Sequence, residues 1–101
     1  MEKTIIVDSR MPIALKDRVE HQLVLKLQSI RGSVKKLNVR LSYKGIVSEC
    51  AVDAALSDQQ KISFAMTHAD PESCIASALA RLRREVLRTK SLSKGVYYRS
   101  A

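Results

Sequence analysis

The side chains with the most to offer chemically are the cationic groups toward the end of the chain. Residues 73–101 carry Arg81, Arg83, Arg84, Arg88, Lys90, Lys94 and Arg99 against Glu85 alone, a net of +6. Residues 1–72 carry 11 basic and 9 acidic side chains, so most of the formal charge of +8 falls in that last stretch. A guanidinium presents a planar fork of donors that matches phosphate oxygens, and a one-signed excess concentrates polyanions. The partners this implies are nucleic acid first, a membrane surface second and an acidic protein third. The bland alternative is a solvated basic face that only keeps the chain in solution.

Other reactive groups do not gather. Cys50 and Cys74 lie far apart without Cys-x-x-Cys spacing, and read as small reduced core residues. His21 and His68 have no ligand partner at metal-binding spacing, so no metal and no cofactor is expected. Hydrolytic chemistry needs carboxylates or imidazoles converging in a cleft. Here Asp53 reads as a sheet-face residue, Asp70 as a helix cap and His21 as a solvated helix residue. No Gly-rich phosphate loop or nucleophile elbow is present. The sequence predicts a non-catalytic protein without a small-molecule substrate.

The elements that must position the arginines follow from hydrophobic periodicity. Lys3 to Val7 is β-branched and apolar, one short strand, and Arg10-Met11-Pro12 interrupts it. Leu15, Val19, Leu23, Leu27 and Ile30 then recur at helical spacing from Ile13 to about Ile30, within an arc of roughly 120°. Val24 and Leu25 lie off that arc and either widen the buried face or mark a contact surface. Gly32 is the expected C-cap.

Lys36 to Tyr43 alternates strictly, Ser48 to Leu56 alternates again, and Lys61 to His68 gives a third such run. Their inward sets are Leu37, Val39, Leu41 and Tyr43; Cys50, Val52, Ala54 and Leu56; and Ile62, Phe64 and Met66. Lys36, Asn38, Arg40, Glu49 and Asp53 fall on the wet face. Asp70-Pro71-Glu72 opens a second helix, with aspartate as N-cap, proline at the first helical position and glutamate on the positive end of the dipole. In it Ile75, Leu79, Leu82 and Val86 form the apolar stripe, while Arg81, Arg84 and Arg88 cluster roughly opposite and Arg83 sits on a flank.

The resulting order is β-α-β-β-β-α, an α+β two-layer sandwich with a four-stranded, mainly antiparallel sheet and both helices on one face. A chain of this mass buries roughly 65% of its unfolded surface, enough for one such core. No apolar run approaches the ~20 residues of a membrane span, and the first residues lack a signal-peptide pattern, so a cytoplasmic location is expected.

Three stretches resemble one family. Ile13-Ala-Leu-Lys-Asp-Arg-Val-Glu-His, with Leu23 and Leu27, is similar to the first-helix pattern "ITxALRxxV" of the ribosome hibernation promoting factors and ribosome-associated inhibitors. Leu37-Asn-Val-Arg-Leu is similar to their second strand. Asp70 to Arg88 is similar to their "DxYxAIDxxxxKLxRQL" second helix, with Glu72 in place of the usual tyrosine and Ala76 in place of aspartate. The likeness runs through residues 3–90, in the layout of the short form of the family. It implies a ribosome-binding domain over 1–90 followed by a short basic tail over 91–101. It also implies binding to small-subunit ribosomal RNA in the channel of messenger and transfer RNA, which silences idle ribosomes under stress or in stationary phase. Carried across, the RNA-binding candidates are Lys16 and Arg18 on the first helix, Arg81, Arg84 and Arg88 on the second, and Lys90 just after it. The nearest rival is a general double-stranded RNA-binding module. That module places lysines at the start of its second helix, where this chain has Asp70-Pro71-Glu72-Ser73.

Overall fold

The alternating runs pair into a single sheet in the order β1-β2-β3-β4, built from β1 (Glu2–Val7), β2 (Val34–Lys44), β3 (Val47–Leu56) and β4 (Lys61–His68). The computed structural model describes the backbone of residues 2–99 and the side chains of residues 2–89. Strand β1 runs parallel to β2, with Ile5 opposite Val39, whereas β2–β3 and β3–β4 are antiparallel. A parallel pair needs a crossover, and α1 (Ala14–Lys26) supplies it; α2 (Pro71–Arg99) follows β4. The β-α-β-β-β-α order is therefore the observed one.

Periodicity decides what is buried. Leu37, Val39 and Leu41 of β2 and Cys50, Val52, Ala54 and Leu56 of β3 face the helices, with Ile62, Phe64 and Met66 of β4 packed at the margin. Onto them α1 lays Leu15, Val19 and Leu23, and α2 lays Cys74, Ile75, Ala78, Leu79, Leu82 and Val86. Cys74 and Ala78 widen the α2 stripe beyond the four residues that periodicity picks out, because small side chains let the helix sit close to the sheet. Val24 and Leu25 are both more than half exposed, so they do not extend the buried face. The β2–β3 hairpin turns through Gly45-Ile46, and Gly45 takes φ +65°, as a primed two-residue turn requires at its first position.

Three local features depart from the sequence reading. The first helix stops at Lys26, and a 3-10 helix over Gln28–Ser33 replaces its expected last turn. Three residues per turn place Leu27 and Ile30 on one side, and both are fully buried. Gly32 has no positive φ and is not the C-cap. Strand β2 also starts two residues earlier than the alternation indicates, with a register shift between Val34 and Lys36. That bulge lets Val34 and Leu37 both point inward while Lys35 and Lys36 both face solvent. The helix α2 runs on to Arg99, past residue 90, where the sequence reading begins a tail.

Both thiols are sealed in the core. Burial pushes the Cys50 thiol up to about 12 and shifts Cys74 upward as well. The Cys74 Sγ approaches the carbonyls of Met66 (3.3 Å) and Ser48 (3.5 Å). Thiolate is the reactive species, so neither cysteine should be alkylated by iodoacetamide at pH 8 in the native protein, and both should react once urea unfolds it. Mass spectrometry of the labelled chain checks this. Because the folded value is raised, Cys50 supports folding below the ordinary thiol range and withdraws that support as pH climbs from there toward 12.

Candidate nucleic-acid interface

The arginine-bearing helix begins at a well-made cap. The Ser73 backbone N–H donates to Asp70 Oδ1 at 2.8 Å, and that bond holds the Asp70 carboxyl below the usual carboxylate range. From there the buried stripe fixes the rotation of α2, and the rotation fixes where each arginine points. Arg84 and Arg88 stand exposed, and neither makes an ion pair with a described residue. Arg81 is turned to the β4 side, half-buried, with its guanidinium 4.5 Å from the centre of the Phe64 ring. Arg83 is turned the other way, toward the 3-10 helix that follows α1, and its Nε donates to Ser29 Oγ at 3.1 Å. The stripe expected from the helical wheel is thus narrower: two free guanidinium groups flanked by two that are held. Lys90 lies outside the described side chains.

The candidates on α1 sit elsewhere. Lys16 is exposed in the first turn, and Arg18 forms an ion pair with Glu72 at the start of α2. Arg18 meets Glu72 and Ser29 meets Arg83, so eleven residues of chain on one side match eleven on the other, and the two helices run parallel. Arg84 lies twelve residues beyond Glu72 and therefore about 18 Å farther along the axis. The structure does not bring Lys16 and Arg18 together with Arg84 and Arg88.

It brings others there instead. The C-terminal ends of both helices, the starts of β1, β2 and β4 and the end of β3 all lie at one end of the molecule. That end gathers Lys3, Lys26 and Arg31, the bulge pair Lys35 and Lys36, and Lys61, all exposed, beside Arg83, Arg84 and Arg88. The acids among them are Glu2, Asp58 and Glu85. At the opposite end Asp8, Asp17, Glu20, Glu49, Asp70 and Glu72 outnumber Arg10, Lys16, Arg18 and Lys44. Several of these cancel in pairs. Arg10 forks onto Asp8 (2.7 Å) and lies over the Tyr43 ring (5.3 Å), which holds the Asp8 carboxyl far below its usual range. Lys44 meets Glu49 at 3.6 Å. Net positive charge is a property of one pole.

Potential catalytic groups are each accounted for locally. Asp53 accepts a hydrogen bond from Ser63 Oγ at 2.7 Å on the open sheet face. His68 Nε2 meets Ser77 Oγ at 3.0 Å, and His21 is exposed on α1. Among the described residues no three His, Cys, Asp or Glu side chains could share a metal ion, and no helix is long and apolar enough to cross a membrane.

Solved structures share this fold. The chain superposes on the crystal structure of the Protein Y N-terminal domain of Thermus thermophilus with a TM-score of 0.71 and 22% identity, over 88% of this chain and 99% of that one. A ribosomal subunit interface protein from Coxiella burnetii gives a TM-score of 0.75 at 13% identity, over 90% of this chain and 99% of the other. No family model matches the chain, and no curated protein matches it in sequence. At these identities the likeness is one of fold, and it is the fold that the three sequence stretches imply.

Proposed function

We propose that a chain with the fold of Protein Y and of a ribosomal subunit interface protein is itself a non-catalytic, ribosome-associated factor. It binds small-subunit ribosomal RNA in the channel of messenger and transfer RNA and holds ribosomes idle under stress or in stationary phase. The observation that carries this reading is the basic pole. Cations from β1, β2, β4, the 3-10 segment and α2 converge on one end of a fold shared with the Protein Y N-terminal domain and with a ribosomal subunit interface protein. Folded RNA is recognised largely through its shape and its phosphates, and exposed lysines and arginines at several heights on a rigid body suit that task.

Sedimentation through sucrose gradients tests the proposal. At low salt the purified protein should travel with the small subunit, and messenger RNA with initiator transfer RNA should displace it. Recovery only in the top fractions, with subunits present, would remove the claim. If about five phosphates are neutralised, log affinity should fall against log salt with a slope of roughly −3.5 to −4.5. A general duplex-RNA module would differ in one respect: free RNA duplex would compete as well as the subunit does.

A further inference from the structure

Strand β4 ends the sheet, and among the described residues nothing pairs with the outer side of its backbone. Which of its groups are left over follows from the ladder. The Leu56 N–H donates to the Gln60 carbonyl at 2.8 Å, so by alternation Ile62, Phe64 and Met66 spend their backbone bonds on β3. The N–H and C=O groups of Lys61, Ser63, Ala65 and Thr67 therefore point outward. Native sheet edges are blunted by charge, proline or a bulge. β4 has Lys61 at its first position and none of these guards from there to Thr67. β1, the other edge, opens with Glu2 and Lys3.

Three observations say what completes this edge. Ile62, Phe64 and Met66 are only half-buried along it, while Ser63, Ala65 and Thr67 are exposed, so the strand is both apolar and open. It is also complementary to itself. A two-fold axis through Ala65 sets Ser63 opposite Thr67 of a second copy and Phe64 opposite Met66, a sulfur–aromatic contact made twice, with no like charges opposed. The third observation is charge. Ser77 meets His68 and Arg81 meets Phe64, so α2 runs back along β4, and the axis passes it between those two residues. Asp70, Ser77, Arg81 and Arg88, spaced by seven and four residues, share the side of α2 turned to β4. Asp70 of each copy then comes beside Arg88 of the other, and the positive pole of each beside the acid-richer pole of the other. Because α2 packs on both β3 and β4, the two copies of α2 lie about 10 Å apart, an ordinary helix contact.

From this geometry we infer that the partner of β4 is a second copy of this chain. The two β4 strands pair antiparallel about a two-fold axis at Ala65 and join both sheets into one, with the helices of both copies on the same face. A closed two-fold pairing of this kind satisfies both outward edges at once and leaves no further β4 edge to recruit a third copy. The pairing stands or falls independently of ribosome binding.

Sedimentation equilibrium of the full chain, over a wide range of concentration, tests it. The data should fit a monomer–dimer equilibrium with nothing larger. Ala65→Lys sets two ammonium groups face to face on the axis, yet within one copy the side chain stays exposed. It should raise the dimer Kd at least ~10-fold and leave the melting temperature of the dilute monomer unchanged. Ala65→Cys under copper–phenanthroline oxidation should give a disulfide-linked dimer, since a hydrogen-bonded antiparallel pair holds its Cα atoms about 5.5 Å apart. Thr4→Cys, on the β1 edge, should not. A monomer at every concentration, a dimer that Ala65→Lys leaves intact, or open-ended oligomers would each overturn the pairing. So would a monomer that takes up an extended peptide along β4 in place of a second copy.

Discussion

Reversing Arg84 and Arg88 together, Arg84→Glu with Arg88→Glu, should remove ribosome association and leave the melting temperature nearly unchanged. Both guanidinium groups are exposed and make no ion pair with a described residue, so the folded state has little to lose from them. Binding has much to lose. Two charge-assisted contacts become two repulsions, and a fall in affinity of about a hundredfold or more follows. Gradient sedimentation gives the binding and calorimetry the stability. Retained association would move the interface off α2. A large drop in melting temperature would mean that the two side chains support the fold. Arg81 makes the useful contrast: its guanidinium lies over Phe64, so its removal also disturbs packing against β4.

The largest expected loss of stability belongs to Leu79→Ala. Leu79 is fully buried in the middle of the α2 stripe, between the helix and the sheet. Its removal leaves a cavity in the core that the described residues form, and such truncations cost about 2–5 kcal/mol. A domain of this size has only about 5–15 kcal/mol to lose, so the melting point should fall by roughly 10 °C or more. Chemical denaturation should show a lower midpoint at an unchanged slope. A loss below ~1 kcal/mol would show that α2 does not seal the core at this point.

The fold was legible in the sequence because its elements are governed by local periodicity. Leu37-Asn38-Val39-Arg40-Leu41 alternates because one face of β2 is wet, and Asp70-Pro71 announces a helix because the cap chemistry is local. What periodicity could not supply was set by tertiary packing. The 3-10 segment exists because Leu27 and Ile30 must both reach the core before the chain turns into β2. The bulge at Lys35 follows from Val34 and Leu37 both being buried.

The candidate site was legible only in part, for the same reason. A helical wheel ranks Arg81, Arg84 and Arg88 alike, yet Phe64 on a neighbouring strand engages Arg81. Glu72 engages Arg18 from another helix. Lys3, Lys26, Arg31, Lys35, Lys36 and Lys61 are scattered over almost sixty residues of chain and meet only because strand and helix ends coincide in space. In the sequence they belong to a nearly neutral stretch. The one available hint was that each lies at or near the end of a predicted element on the same side of the sheet's connections.

The separation of charge between the two ends also bears on how fast the protein finds its target. A body that is positive at one end and slightly negative at the other has a dipole along the helix axes, and the field of a polyanion exerts a torque on it. The molecule therefore turns as it approaches, and a larger share of collisions present the lysine- and arginine-bearing end first. Steering of this kind raises the association rate and fades as salt shortens the Debye length, about 10 Å at 0.1 M. Stopped-flow association rates would consequently fall with ionic strength more steeply than those of a variant with equal net charge spread evenly over its surface.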